Sequence, residues 1–199
     1  MREIVSILFD GFETLDLFGP VEVLGRLSDH FNVQLYSLNG GLITSDQDVP
    51  VMTKPFTELK SSDYILLIPG GIGTRELVKN ENFISQMRTL AVNAEYILTV
   101  CTGSILFSKT GLLNGKKATS NKRVFQWTSK ESPDVSWIKK ARWVKDGNIY
   151  TSSGISAGID MTLGFVSDLL GYHIAEQESL EIEYDWKADP TWDPFSEIF

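Results

Sequence analysis

Four short apolar runs, each followed by small or turn-forming residues or by a helix-like segment, constrain this chain more than any other feature. They are Glu3 to Phe9, Phe31 to Tyr36, Tyr64 to Ile68 and Tyr96 to Val100. Each has the length of a strand and is too short for a core helix. Between them lie segments of helical character. Residues 15–27 place Leu15, Phe18, Val21, Leu24 and Leu27 at helical spacing, and residues 81–92 and 102–110 are also expected to be helical. Pro20 is expected in the first turn of its helix, where its missing N–H costs nothing. Strands alternating with helices predict an α/β fold, with a mostly parallel central sheet and helices on both faces.

The remaining segments fit the same plan. Asn39-Gly40-Gly41 is expected to end the second strand, and residues 42–53 form a small β-hairpin excursion turning near Ser45-Asp46. Residues 121–131 read as a short helix. Arg142 to Lys145 and Ile149 to Thr151 flank Asp146-Gly147, a strong hairpin signal. Helices are expected over 156–170 and 174–183. From about residue 184 the chain becomes an irregular tail containing Trp186, Trp192, Phe195 and Phe199. Such apolar side chains are expected to pack on the body or on a second subunit.

Length and charge remove several classes of function. The 199 residues suit a single domain, 1–199, with no linker or repeat. A chain of this size buries roughly 70% of its unfolded surface and needs no disulfide or metal staple. No apolar stretch approaches the ~20 residues of a membrane span, so no membrane partner is expected. The net charge is −8, and the pairs Lys116-Lys117 and Lys139-Lys140 are too small a basic patch to suggest nucleic acid. The N-terminus reads as a strand rather than a leader, and Cys101 is the single cysteine. Both point to the cytoplasm.

In parallel sheets, ligands bind beyond the carboxyl ends of the strands. Three such ends carry distinctive residues: Asp10 to Asp16, Pro69 to Gly73, and Cys101 to Ser104. A lone cysteine is often a small core hydrophobe. Cys101, however, sits between an apolar strand and a helix and is followed by Thr102-Gly103-Ser104, the layout of a nucleophile elbow. The helix terminus is expected to favour its thiolate. The Gly70-Gly71-Ile72 turn lets backbone amides approach a substrate, and Gly71 and Thr102 N–H groups are expected to form an oxyanion pocket. The glycine spacing matches no phosphate-cradling motif, and no Cys/His cluster has ligand spacing, so neither cofactor nor metal is expected. Asp10, Glu13 and Asp16 all remain candidates for the acidic partner. His30 and His173 read as surface residues near helix ends. Ser156 is expected to cap the helix that follows it, and Asp160 to be structural.

Taken together these segments resemble the ThiJ/PfpI superfamily. The resemblance rests on Asp16-Leu17-Phe18-Gly19-Pro20, Ile68-Pro69-Gly70-Gly71, Val100-Cys101-Thr102-Gly103-Ser104, Thr110 to Thr119, and Ser156 to Met161. It implies a flavodoxin-like three-layer sandwich related to class I glutamine amidotransferases, and a homodimer. Within the superfamily the chain is most similar to the isonitrile hydratase branch, which itself resembles domains fused to AraC-type regulators. A chain ending at Phe199 is expected to carry no helix-turn-helix appendage. The resemblance implies Cys101 as nucleophile and Asp16 as its acidic partner. PfpI-type peptidases carry His where this chain has Thr102, and many regulator-type relatives carry His at or near Asn121, so peptidase activity is not expected. The implied reaction is hydration of a small electrophile, an isonitrile, with a neutral Asp16 hydrogen-bonded to a Cys101 thiolate. A redox-sensing thiol, or a related glyoxalase or amidase activity, is the alternative.

Overall fold

The computed structural model describes residues 1–199. Eight strands form one sheet: β1 (Arg2–Leu8), β2 (Phe31–Ser37), β3 (Asn39–Thr44), β4 (Pro50–Pro55), β5 (Tyr64–Ile68), β6 (Tyr96–Thr99), β9 (Trp143–Asp146) and β10 (Ile149–Ser152). Their spatial order is β3-β4-β2-β1-β5-β6-β10-β9. Two short strands, β7 (Lys117–Ala118) and β8 (Ser136–Trp137), pair separately. β1, β2, β5, β6 and β10 run parallel, and β3 and β9 close the edges antiparallel to β4 and β10.

The helices are α1 (Thr14–Arg26), α2 (Thr74–Leu77), α3 (Glu81–Asn93), α4 (Gly103–Ser108), α5 (Phe125–Glu131), α6 (Ala157–Leu170) and α7 (Tyr172–Glu181). α1, α6 and α7 pack together on one face of the sheet, and α2, α3 and α4 gather on the other. The central strands are therefore buried on both sides. Ile4, Val5, Ile7 and Leu8 of β1 and all five residues of β5 lie in the core. Continuous apolar runs are what a doubly covered parallel sheet requires. No helix is long and apolar enough to cross a membrane.

Several boundaries differ from the sequence expectation. Asn39-Gly40-Gly41 does not end a strand but opens β3, with both glycines at positive φ. Pro20 is the seventh residue of α1, not part of its first turn. It withdraws the backbone bond to the Asp16 carbonyl and instead packs near Gly158 of α6. The expected helix over 121–131 begins as a 3₁₀ turn, Lys122–Val124, before α5. Ser156 does not cap α6. Its hydroxyl accepts from Arg142 Nη2 at 3.3 Å.

The tail is irregular but fastened. Asp160 pairs with Arg142 at 2.7 Å, and both are buried. Asp160 also accepts from the Lys187 amide at 2.9 Å and, through its backbone carbonyl, from the Trp186 indole at 3.1 Å. The Pro190 carbonyl accepts from the Arg142 amide at 2.7 Å. Trp186 is half-buried, whereas Trp192, Phe195 and Phe199 stay largely exposed.

β1 is flanked by β2 and β5, so the chain leaves β1 toward one side of the sheet and later returns on the other. Crevices form at such reversals. The loops after β1, β5 and β6 are drawn together there. Gly103 makes one of the tightest of these contacts: a Cβ on it would lie 2.3 Å from the Ile68 carbonyl oxygen. Gly103→Ala is therefore expected to destabilise the fold by about 1–3 kcal/mol, the usual range for overpacking. Urea unfolding should show a lower midpoint with an unchanged slope.

Candidate active site

Cys101 follows β6 after Val100 and has φ of +57°, a left-handed conformation uncommon for a residue with a side chain. The bend is held from several directions. The Cys101 amide donates to the Ser153 carbonyl at 3.1 Å. The Cys101 carbonyl accepts from the Ser104 hydroxyl at 2.9 Å and the Ser120 hydroxyl at 3.0 Å. These bonds fix the direction in which the sulfur points.

Asp16 lies in the first turn of α1 and is fully buried. Its Oδ2 accepts from the Gly70 amide at 2.9 Å, while Oδ1 has no hydrogen-bond partner. A Cβ on Gly70 would stand 2.5 Å from the Thr102 amide nitrogen and 2.9 Å from Asp16 Oδ2. Only glycine lets the β5 turn slip between the acid and the elbow. Neither rival acid takes this place, although Glu13 lines the same cavity as Cys101 and its charge raises the Asp16 pKa. Glu13 accepts from the Gln47 side chain at 3.2 Å, and Asp10 accepts from the Thr44 amide at 2.9 Å.

Gly71, Ile72, Cys101 and Thr102 line one cavity of about 300 Å³. Arg75, Asn121, Arg123 and Ile155 complete much of its wall. Asp16 and Gly70 do not line it. The carboxyl is therefore placed to act on the sulfur or on an atom bonded to it. The Gly71 amide donates to the Thr102 hydroxyl at 3.0 Å, so it is already engaged rather than open as an oxyanion donor. The Thr102 amide is turned toward the sulfur and favours its charged form.

Two contacts were not expected from the sequence. The Asn121 amide donates to Cys101 Sγ at 3.0 Å. The Ile155 backbone N–H also faces the sulfur and favours its charged form, from a residue with φ of +41°, a genuine outlier for a β-branched side chain. Sequence reading treats Asn121 only as a departure from a family histidine, and Ile155 carries no local signal beyond following Gly154. His30 and His173 are exposed and absent from this cavity.

The charge state departs from expectation. Cys101 is only 5% exposed, and burial, followed by the nearby Asp16 charge, pushes its thiol well above the usual range. The Asn121, Ile155 and Thr102 donors pull the other way without reversing it. Helix termini contribute ~0.3–1 kcal/mol at exposed sites, whereas full burial moves a pKa by up to roughly 3–5 units, or several kcal/mol. Burial therefore disfavours the thiolate that the elbow layout suggests. Asp16 is pushed up to about 8, first by burial, against the Gly70 amide and the thiol. It is neutral below that pH. No group of three His, Cys, Asp or Glu side chains is arranged to hold a metal.

Asp16 generates a stability prediction. Its carboxyl binds a proton more tightly folded than unfolded, so its contribution is fully present below its ordinary value of 3.8 and is lost as pH rises to about 8. Asp16→Asn keeps an acceptor for Gly70 and removes this dependence. Its melting temperature relative to wild type is expected to climb from pH 4 to pH 8 and then level. A constant difference across that window would contradict the assignment of the buried acid.

A profile described as the DJ-1/PfpI family matches residues 2–168. Isonitrile hydratase of Pseudomonas putida is 34% identical over 186 residues, spanning 92% of this chain and 78% of that protein. The HTH-type transcriptional regulator CdhR of Pseudomonas aeruginosa is 26% identical over 179 residues, 87% of this chain but 52% of the regulator. Among solved structures, a ThiJ/PfpI family protein from Pseudomonas syringae superposes with a TM-score of 0.81 at 29% identity, covering 96% of this chain and 78% of that one. The three-layer arrangement described above is the flavodoxin-like fold of these proteins.

Proposed function

We propose that this chain, which belongs to the DJ-1/PfpI family, is a cysteine-dependent hydratase that converts an isonitrile to the N-substituted formamide. The single observation that carries the reading is the isolated pair of a buried acid and a cysteine on a strained elbow, at the wall of a cavity. The 34% identity to isonitrile hydratase supports the choice of substrate.

An isonitrile carbon accepts both a nucleophile and a proton. The Asp16 carboxylate takes the thiol proton as the Cys101 sulfur bonds to the terminal carbon, and that proton is then delivered to the same carbon. The product of this addition is a thioimidate. Water adds to the C=N carbon, the tetrahedral adduct expels the Cys101 thiol, and the formamide leaves. Atoms balance as isonitrile plus water, with no oxidant or reductant. Donors from Asn121, Ile155 and Thr102 surround the sulfur and stabilise the charge that it carries in passing. A carboxyl pushed up to about 8 is a stronger base than an ordinary one and suits a thiol with a raised pKa.

The pair reacts from its one-proton state, which is populated as pH rises through about 8. Below that pH both groups are protonated and no base is present. With an alkyl or aryl isonitrile, kcat/KM for formamide formation is expected to rise with pH toward a plateau above about 8. Cys101→Ala should abolish turnover, and Asp16→Asn should reduce it ~10²–10⁴-fold. Asn121→Ala should cost roughly 10–100-fold, the worth of a hydrogen bond to a charged sulfur. Turnover retained by Cys101→Ala would falsify the mechanism.

A redox-sensing role is less well supported. Sensor cysteines are low in pKa, and burial raises the pKa of this one. Intact mass after peroxide treatment is expected to show slow oxidation. A cytoplasmic location fits a lone reduced thiol. A homodimer belongs to the same reading. Leu42 and Met52, paired across the β3–β4 hairpin, are exposed and give a second copy an apolar surface. Sedimentation should return twice the chain mass, and a monomer at micromolar concentration would remove this part.

A further inference from the structure

A second hollow lies beside the Cys101 cavity. Its volume is about 230 Å³, and its exposed walls are mostly carbon. Asn121, Arg123 and Ile155 line both spaces. Asn121 and Ile155 are the two residues that reach across from other loops to touch the sulfur. The hollow therefore adjoins the Cys101 cavity at the residues that face the sulfur. Its outer wall is the end of the tail, where Phe195 and Phe199 are 45% and 53% exposed.

Two aromatic rings left half in water need something to hold them, and the structure supplies it from beneath. Lys122, next to Asn121, is buried and lies 3.3 Å from Asp193 Oδ2, itself buried. The Lys122 ammonium also donates to Thr119 Oγ1 at 2.7 Å and to the Ser120 and Ala141 carbonyls at 3.1 Å. Asp193 Oδ1 accepts from the Phe195 amide at 3.0 Å, and its backbone carbonyl accepts from the Ser196 hydroxyl at 2.7 Å. One buried ion pair thus ties the turn that presents Phe195 to the segment that presents Asn121. The tail is a fixed wall rather than a loose end.

We propose that this hollow is the subsite for the hydrocarbon substituent of the substrate, and that the protein prefers electrophiles carrying a ring or a branched chain over small ones. Size supports the assignment: benzene occupies an apolar cavity of roughly 150 Å³, and this space is larger. Chemistry supports it too. An isonitrile has one polar end, which belongs at the sulfur, and the rest of the molecule gains by leaving water. The inference rests on the hydratase reading for the identity of the reacting group, but not for the existence of the subsite.

Two measurements separate these claims. The first compares kcat/KM for benzyl and methyl isonitrile. Wild type is expected to favour the benzyl compound, and Phe195→Ala and Phe199→Ala each to reduce that ratio roughly 10-fold, mainly through KM. Phe195→Leu should restore part of the ratio, and Tyr172→Ala, an exposed aromatic outside the hollow, should keep it. The second needs no turnover. Cys101 is the single cysteine, so intact mass reads its alkylation alone. N-benzyl iodoacetamide should react faster than iodoacetamide, and the two Phe→Ala variants should erase the difference. If no isonitrile turns over but the alkylation preference depends on Phe195 and Phe199, the subsite stands and the hydratase reading falls. If the preference is absent, or survives both substitutions, the subsite is wrong whatever the reaction.

Discussion

Everything at this site depends on how closely three turns approach one another. The loop after β1 brings Asp16, the loop after β5 brings Gly70, and the elbow after β6 brings Cys101. Gly70 lies between the other two with no room for a side chain, and Gly103 meets the Ile68 carbonyl in the same way. A methyl group at either point would part the acid from the sulfur. The Glu13 amide bond to the Gly70 carbonyl, at 2.8 Å, clamps the first two turns from the outside. The strong core of β1, β5 and β6 holds the turns against this crowding. Fold and site are linked there by sterics before electrostatics enters.

Electrostatics then follows from burial. A carboxyl facing a thiol is unfavourable when both are charged, and dry surroundings disfavour even one charge. The molecule meets this constraint by holding protons rather than by importing a counter-ion. No Lys, Arg or His pairs with Asp16, although the chain forms buried ion pairs elsewhere, at Lys122–Asp193 and Arg142–Asp160. The contrast is informative. Where the structure needs a carboxylate as an anchor, it supplies a cation. The donors that face the sulfur itself are the amides of Asn121, Ile155 and Thr102.

The sequence made the sheet legible because its central strands are buried on both faces and read as unbroken apolar runs. The same logic exposed Cys101, since a cysteine between such a run and Thr-Gly-Ser is out of place in a core. Three other features were hidden for physical reasons. Asn121 and Ile155 reach the sulfur only because β10 and the segment after β7 come alongside β6, and local patterns do not encode that long-range approach. Gly40 and Gly41 look like a stop, yet the edge strand β3 accepts them because part of its ladder faces no partner. Burial disfavours the thiolate expected from the elbow layout, and exposure is not written in composition. The helix terminus was visible from the residues, but the depth at which it sits was not.

Backbone strain gives the last step of the argument. Cys101 and Ile155 both hold left-handed conformations that cost about 1–3 kcal/mol each, a large share of the ~5–15 kcal/mol that keeps a domain folded. Packing does not explain the choice, because a glycine at either position would relieve it. What the two residues share is the sulfur: one carries it, and the other aims an N–H at it. The donors of Ser104 and Ser120 on the Cys101 carbonyl hold the first of them in place. Strain, an unpaired buried acid and convergent donors all meet at a single atom. A core cysteine requires none of these, and the proposed nucleophile would use each.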